Sequence, residues 1–179
     1  MPVAASIILV GLLCLERAPV ASKIVAFAEQ AIGREVGGGE CTDLVAEAFR
    51  SAGVHPAPVG IWGEPVQELA SLRPGDILRF EQAEFRGRSR SGGRNRRWRL
   101  QFDEHVAIVS RAEARGGSVL VEFLHQNFHM DGQPEAEGRV VRRMVLDLGR
   151  LTRGTVQAFR PSSGGATPPL PLPSGWPRD

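Results

Sequence analysis

The chain has no tyrosine, only two cysteines, and no apolar run longer than twelve residues. Two cysteines allow at most one disulfide, so a disulfide-stapled scaffold is excluded. The longest apolar run, Ala4 to Leu15 ("AASIILVGLLCL"), is too short to cross a bilayer comfortably. Its length suits the apolar region of a secretory signal, and the small residues of "APVAS" follow it, although no basic side chain precedes it. An ordinary first element of the domain is the other reading. Cys14 follows two leucines, whereas a lipid-attachment cysteine wants a small residue before it, so a lipoprotein anchor is discounted. No internal repeat is present, which sets aside repeat architectures.

What is present is ordinary in amount and uneven in placement. At 179 residues, 42% hydrophobic and 23% charged, the chain suits one domain with a proper core plus tails. The net charge is +2, yet residues 86 to 99, "RGRSRSGGRNRRWR", hold seven arginines and no acid, leaving −5 for the rest. The glycines and serines among those arginines predict a mobile insertion between two strands. Such a loop is either simply solvated or able to hold an anionic polymer or nucleic acid.

Ser22 to Gly33 places Ile24, Phe27, Ala28 and Ala31 at helical spacing, with Gly33 as the stop. "CTDLVAEAFRSAG" puts Leu44, Val45, Ala48 and Phe49 on one face and stops at Gly53. Prolines and glycines make "VHPAPVGIWGEPV" a loop, and a short helix is expected through "VQELASL". From "RPGDILRF", a turn and a short strand, the period changes. "HVAIVS", "SVLVEFLHQNF", "RVVRRMVLDL" and "TVQAFRP" read as further strands. The proline-rich "SSGGATPPLPLPSGWPRD" reads as a disordered tail. Helices followed by an antiparallel sheet make the class α+β. The domain is placed at 22–161, after an apolar segment or signal at 1–21 and before a tail at 162–179.

Cys41 stands where chemistry would use it. It follows three glycines in "GGGECTD" and opens an amphipathic helix. A helix start and a nearby imidazolium both stabilise a thiolate. Glu40 and Asp43 oppose this unless they point to solvent. Pairing "HVAIVS" with "SVLVEFLHQNF" through a turn at Gly116–Gly117 sets His105 opposite His125 or Asn127. Alternation puts Val119, Val121, Phe123, His125 and Asn127 on one face and Gln126 on the other. Cys41 is then the candidate nucleophile, His105 the general base and acid, and His125 or Asn127 the group that orients the ring. The bland alternatives are a buried filler cysteine and a strand-edge histidine. Asp76 in "PGD" reads as a turn residue. His125 and His129 are no metal pair, because four residues of strand span about 13 Å.

The order of a cysteine at a helix start, "LRPGDILRF", "HVAIVS" and "VEFLHQN" resembles the papain-like cell-wall hydrolase superfamily. Its CHAP (cysteine, histidine-dependent amidohydrolase/peptidase) and NlpC-type members are the nearest in pattern. "HQN" resembles the CHAP ending "EQN", with His125 where those domains carry glutamate; a histidine there is closer to the NlpC pattern. The missing tyrosine departs from NlpC-type enzymes, which often place one before the nucleophile. Over residues 22 to 161 the resemblance implies a papain-like fold and Cys41, His105 and His125 or Asn127 as catalytic residues. It implies hydrolysis of amide bonds in peptidoglycan peptides through a thioester, with no metal or cofactor. A monomer, secreted or in the cell envelope and without a membrane span, is expected. Two other readings keep the same scaffold: a non-enzymatic binding domain holding anionic polymers through the arginine-rich stretch, and an acyltransferase.

Overall fold

In the computed structural model the described residues are 19–54, 62–91, 93–129 and 134–162. The apolar run with Cys14, and the tail from residue 163, lie outside them. Two helices come first. α1 (Val20–Gln30) buries Ile24 and Ala28, and α2 (Cys41–Ala52) buries Leu44, Val45, Ala48, Phe49 and Ala52 before ending at Gly53. The apolar spacing of the sequence thus becomes the buried face of each helix. The stretch expected as a short helix contributes only a 3-10 turn, Leu69–Ser71. Among the described residues no helix is long and apolar enough to cross a membrane.

The strands are β1 (Glu64–Pro65), β2 (Ile77–Ser91), β3 (Arg94–Arg115), β4 (Ser118–His125), β5 (Arg142–Asp147) and β6 (Leu151–Arg160). They form one sheet in the order β1-β6-β2-β3-β4-β5, with all named pairs antiparallel. Ile108 pairs with Leu124 and Val109 with Phe123, in the register expected from the Gly116–Gly117 turn; a bulge at Ser110 then shifts it by one.

Both faces of the sheet are buried. Ile77, Val106, Ile108 and Leu124 meet α1 and α2 on one face. Leu78, Phe80, Ala107, Val109, Val121 and Phe123 form a second cluster on the other, closed by Leu72 and Leu148. Gln82, at φ +47°, bulges out of β2, so Phe80 and Phe85 share the aromatic cluster despite the odd spacing between them. Asp76 accepts the N–H of Arg73 (2.8 Å), as a turn residue should, and also takes a two-pronged ion pair from Arg160 (2.9 and 2.8 Å). That contact, 84 residues long, ties the start of β2 to the end of β6.

The arginine-rich stretch is not a loop. β2 and β3 run on past the sheet as a ribbon in unbroken register from Glu84↔Gln101 to Ser91↔Arg94. Glycine and serine suggested a loop because they are weak strand formers. Here Gly87 instead provides floor space: it pairs with Trp98, and a Cβ on it would lie 2.3 Å from the indole. Phe85 and Phe102 anchor the root of the ribbon in the aromatic cluster.

Candidate active site

The glycines before Cys41 carry the backbone under the first turn of α2. Gly37 and Gly39 have φ of +60° and +86°. A Cβ on Gly39 would stand 2.7 Å from Arg139 Nε, so a larger residue meets both strain and a clash. Asp43 accepts the N–H groups of Gly38 (2.7 Å) and Glu40 (3.2 Å), binding the loop to the helix it precedes. Its carboxylate is engaged with these backbone amides.

The loop is held from the sheet as well. Gln126, 1% exposed, extends from the end of β4. Its Nε2 donates to the carbonyls of Val36 (2.9 Å) and Glu40 (2.5 Å), and its Oε1 accepts from Val36 N–H (3.1 Å). Arg139 donates to the carbonyl of Gly38. Alternation correctly sends Gln126 to the face opposite His125, which is the face the helices cover.

His105 and His125 meet on the aromatic face, with Nε2 of the first 3.0 Å from Nδ1 of the second. One ring donates and the other accepts. Phe102 stacks on His105 with centroids 5.2 Å apart, and Phe128 lies against both imidazoles. Both histidines are buried. Asn127, the other candidate for orienting the ring, is directed elsewhere. The chain leaves β4 after His125, and Asn127 adopts φ +58°, which takes it out of strand alternation. Its Nδ2 donates to Glu40 Oε2 (2.5 Å), and its Oδ1 lies 3.4 Å from His129 Nε2.

The thiol meets the strands where they part. Pairing of β3 with β4 stops at Ile108↔Leu124. Beyond that point the N–H of Val106 comes close enough to the Cys41 thiol to favour its thiolate form, as do the amides of Thr42 and Cys41. Cys41 is unpaired in any disulfide, partly exposed, and packed on the helix-side cluster that contains Val106. His105 is the residue before Val106 and points to the aromatic side. Consecutive strand positions therefore serve the two halves of the site: one amide favours the thiolate, and the preceding residue supplies the imidazole.

The electrostatics favour neutral groups throughout. Burial pushes the Cys41 thiol up, and Glu40 adds to this; the amides of Val106, Thr42 and Cys41 pull down without cancelling it. Burial first, and the neighbouring His125 second, push His105 down to about 3. His125 is pushed down to about 4, by burial first and by Arg142 second. These shifts favour a neutral thiol and neutral imidazoles over a thiolate–imidazolium pair. Among the described residues no group of three or more His, Cys, Asp or Glu side chains could hold one metal ion.

The family described as the AIM3/BBC1 cysteine proteinase-fold domain matches residues 13–167. The chain belongs to that family. It is a cysteine-proteinase-fold domain with a six-stranded antiparallel sheet, which agrees with the papain-like expectation at the level of fold. The family match names this fold and not the CHAP or NlpC type. Comparison with curated proteins and with solved structures finds no match. Within this AIM3/BBC1-type domain, the sequence pattern brought out Cys41, His105 and His125 but missed Gln126 and Arg139. Gln126 carried a signal, being a polar residue aimed at the buried face; Arg139 carried none.

Proposed function

We propose that this cysteine-proteinase-fold domain is a cysteine-dependent hydrolase of amide bonds, with Cys41 as nucleophile, His105 as general base and acid, and His125 as the residue that orients His105. The carrying observation is the hydrogen bond between His105 Nε2 and His125 Nδ1, on the strand whose next amide, that of Val106, favours the Cys41 thiolate. With the shared proton on His105 Nε2, the Nδ1 lone pair is free to accept. In that tautomer His105 takes the thiol proton as sulfur adds to the amide carbonyl. It returns the proton to the departing amine, leaving a thioester on Cys41. Water then attacks the thioester, His105 accepts its proton, and the carboxylic acid leaves as the thiol is restored. Because the shifts favour neutral resting groups, proton transfer accompanies attack rather than preceding it.

The order of motifs supports peptidoglycan peptides as the substrate class and a site of action in the cell envelope. The test is mass spectrometry of products from purified peptidoglycan and from a mixed peptide library, with Cys41→Ala beside the parent. The expected outcome is fragment release that falls about a thousandfold or more in the variant. Fragments released equally by both would refute the assignment of Cys41.

A second reading is favoured by one observation, the raised thiol and lowered imidazoles. These suit a binding domain in which the site is retained but dormant. It predicts that Cys41 is alkylated by iodoacetamide more slowly than a free thiol at neutral pH. It also predicts no thioester on Cys41 with any peptide. The hydrolase reading predicts a trapped acyl group on Cys41 when water is replaced by a poor nucleophile.

A further inference from the structure

The outer part of the β2–β3 ribbon has two properties that the Cys41 site does not use. The first is charge. Arg86 pairs with Arg99 and Arg88 with Arg97, and Arg90 lies two positions further along the same face. Like charges directly opposite one another destabilise a sheet. Glu84, itself buried, relieves the inner pair through ion pairs to Arg86 and to Arg99 (2.8 Å). Among the described residues no carboxylate pairs with Arg88, Arg90 or Arg97. The second property is open backbone. β6 leaves β2 at Phe85↔Leu151, and β4 approaches β3 no nearer than Ile108↔Leu124. Among the described residues, the outer edges of the ribbon from Arg86 to Arg99 have no strand partner.

We propose that this ribbon takes an extended acidic segment of a partner protein as a strand added beside β2, with alternate carboxylates of that segment meeting Arg88 and Arg90, and with Arg97, opposite Arg88, adding to the same positive face. An extended chain presents side chains to one face every 6.6–6.8 Å or about that, which is also the repeat of the arginine rows. Carboxylates at alternate positions therefore come up beside successive guanidinium groups, each able to bind in a two-pronged way. The partner's amides and carbonyls fill the open ladder at the same time. A second copy of this ribbon is a poor occupant, since its arginines would repel. Polyphosphates satisfy the charge and leave the backbone edge unused. The arginine face also offers no ring for bases to stack on, because Trp98 lies on the opposite face over Gly87. None of this depends on the chemistry of Cys41.

The experiment uses the full chain and a labelled synthetic peptide that alternates glutamate with threonine, followed by fluorescence polarisation. Binding is expected, and the double variant Arg88→Glu, Arg97→Glu should weaken it about tenfold or more. Methylating one of the two sets of alternate peptide amides should weaken it by as much, since those N–H groups then cannot enter the ladder. If the charge-reversed variant does not fold, Arg88→Gln, Arg97→Gln gives the same comparison. No binding of the alternating peptide overturns the proposal. Equal binding by both N-methylated peptides overturns it too, because charge alone would then suffice. So does tighter, arginine-dependent binding of a single-stranded or duplex oligonucleotide, or of phosphatidylserine vesicles.

Discussion

On one face of the sheet, Leu44, Val45 and Ala48 of α2 close over Val106, Ile108 and Leu124. On the other, Phe80, Phe102 and Phe123 gather around His105 and His125. The first face supplies a thiol close to backbone amides; the second supplies two imidazoles bonded to each other. The helix face decides where the sulfur sits. The aromatic face decides which protons are present, because its rings exclude water from both histidines. Position and protonation are thus set by different cores, and each can be disturbed without the other.

The largest effect is expected from removing an aromatic support. Phe80 is fully buried and stacks on Phe102 at 4.5 Å. Phe80→Ala should lower the unfolding free energy by about 3–5 kcal/mol in denaturant titration. It should also admit water to the histidine pair, raising the pH at which the imidazoles titrate in NMR. A loss of stability with the imidazole titration unmoved would break the link between that core and those protons.

Acid comes next. Both histidines have folded pKa values, about 3 and about 4, below the unfolded value of about 6.5. The unfolded chain therefore binds more protons across the interval, so stability is fully present above about pH 7 and falls as pH drops through 6.5. Between pH 7 and pH 5 each histidine should remove about 2 kcal/mol. Glu84 and Asp147 also have lowered carboxyl pKa values, from hydrogen bonds with Arg86 and Ser118 first, and they act only below that window. Replacing His125 with glutamine should roughly halve the loss. A stability that stays flat from pH 7 to pH 5 would mean the pair is not buried and neutral.

The smallest effect separates two neighbours. Gln126→Ala strips three hydrogen bonds from a buried position and should cost about 1–3 kcal/mol. It should also change the alkylation rate of Cys41, since the loop before the thiol loses its hold. Asn127→Gly keeps the left-handed backbone available and removes only the exposed contacts with Glu40 and His129, so stability should change by less than about 1 kcal/mol. Equal effects from both would dissolve the distinction between these two residues.

Much of this was legible before any coordinates. The helix faces of Ile24 and Leu44 followed from spacing, and the register of Ile108 with Leu124 followed from the glycine turn. The order of short motifs singled out Cys41, His105 and His125, and the structure brings the two histidines into contact. Asn127 went wrong because alternation holds only while the strand lasts, and the chain turns directly after His125. The arginine ribbon went wrong because local propensity was read without its anchors. Phe85 and Phe102 fix the register at its root, and Trp98 needs a residue without a side chain opposite it. Arg160 and Arg139 gave no local sign, since their partners lie 84 and 101 positions away.

The hydrogen bond from Gln126 to Glu40 joins residues 86 positions apart. A ribosome that has released the chain only through β2 has exposed the helices and the thiol, but not the strand end that secures them. Until β4 emerges, the loop before Cys41 lacks the side chain that ties it to the sheet. The last part of the nucleophile loop to be secured is therefore one of the first to be made.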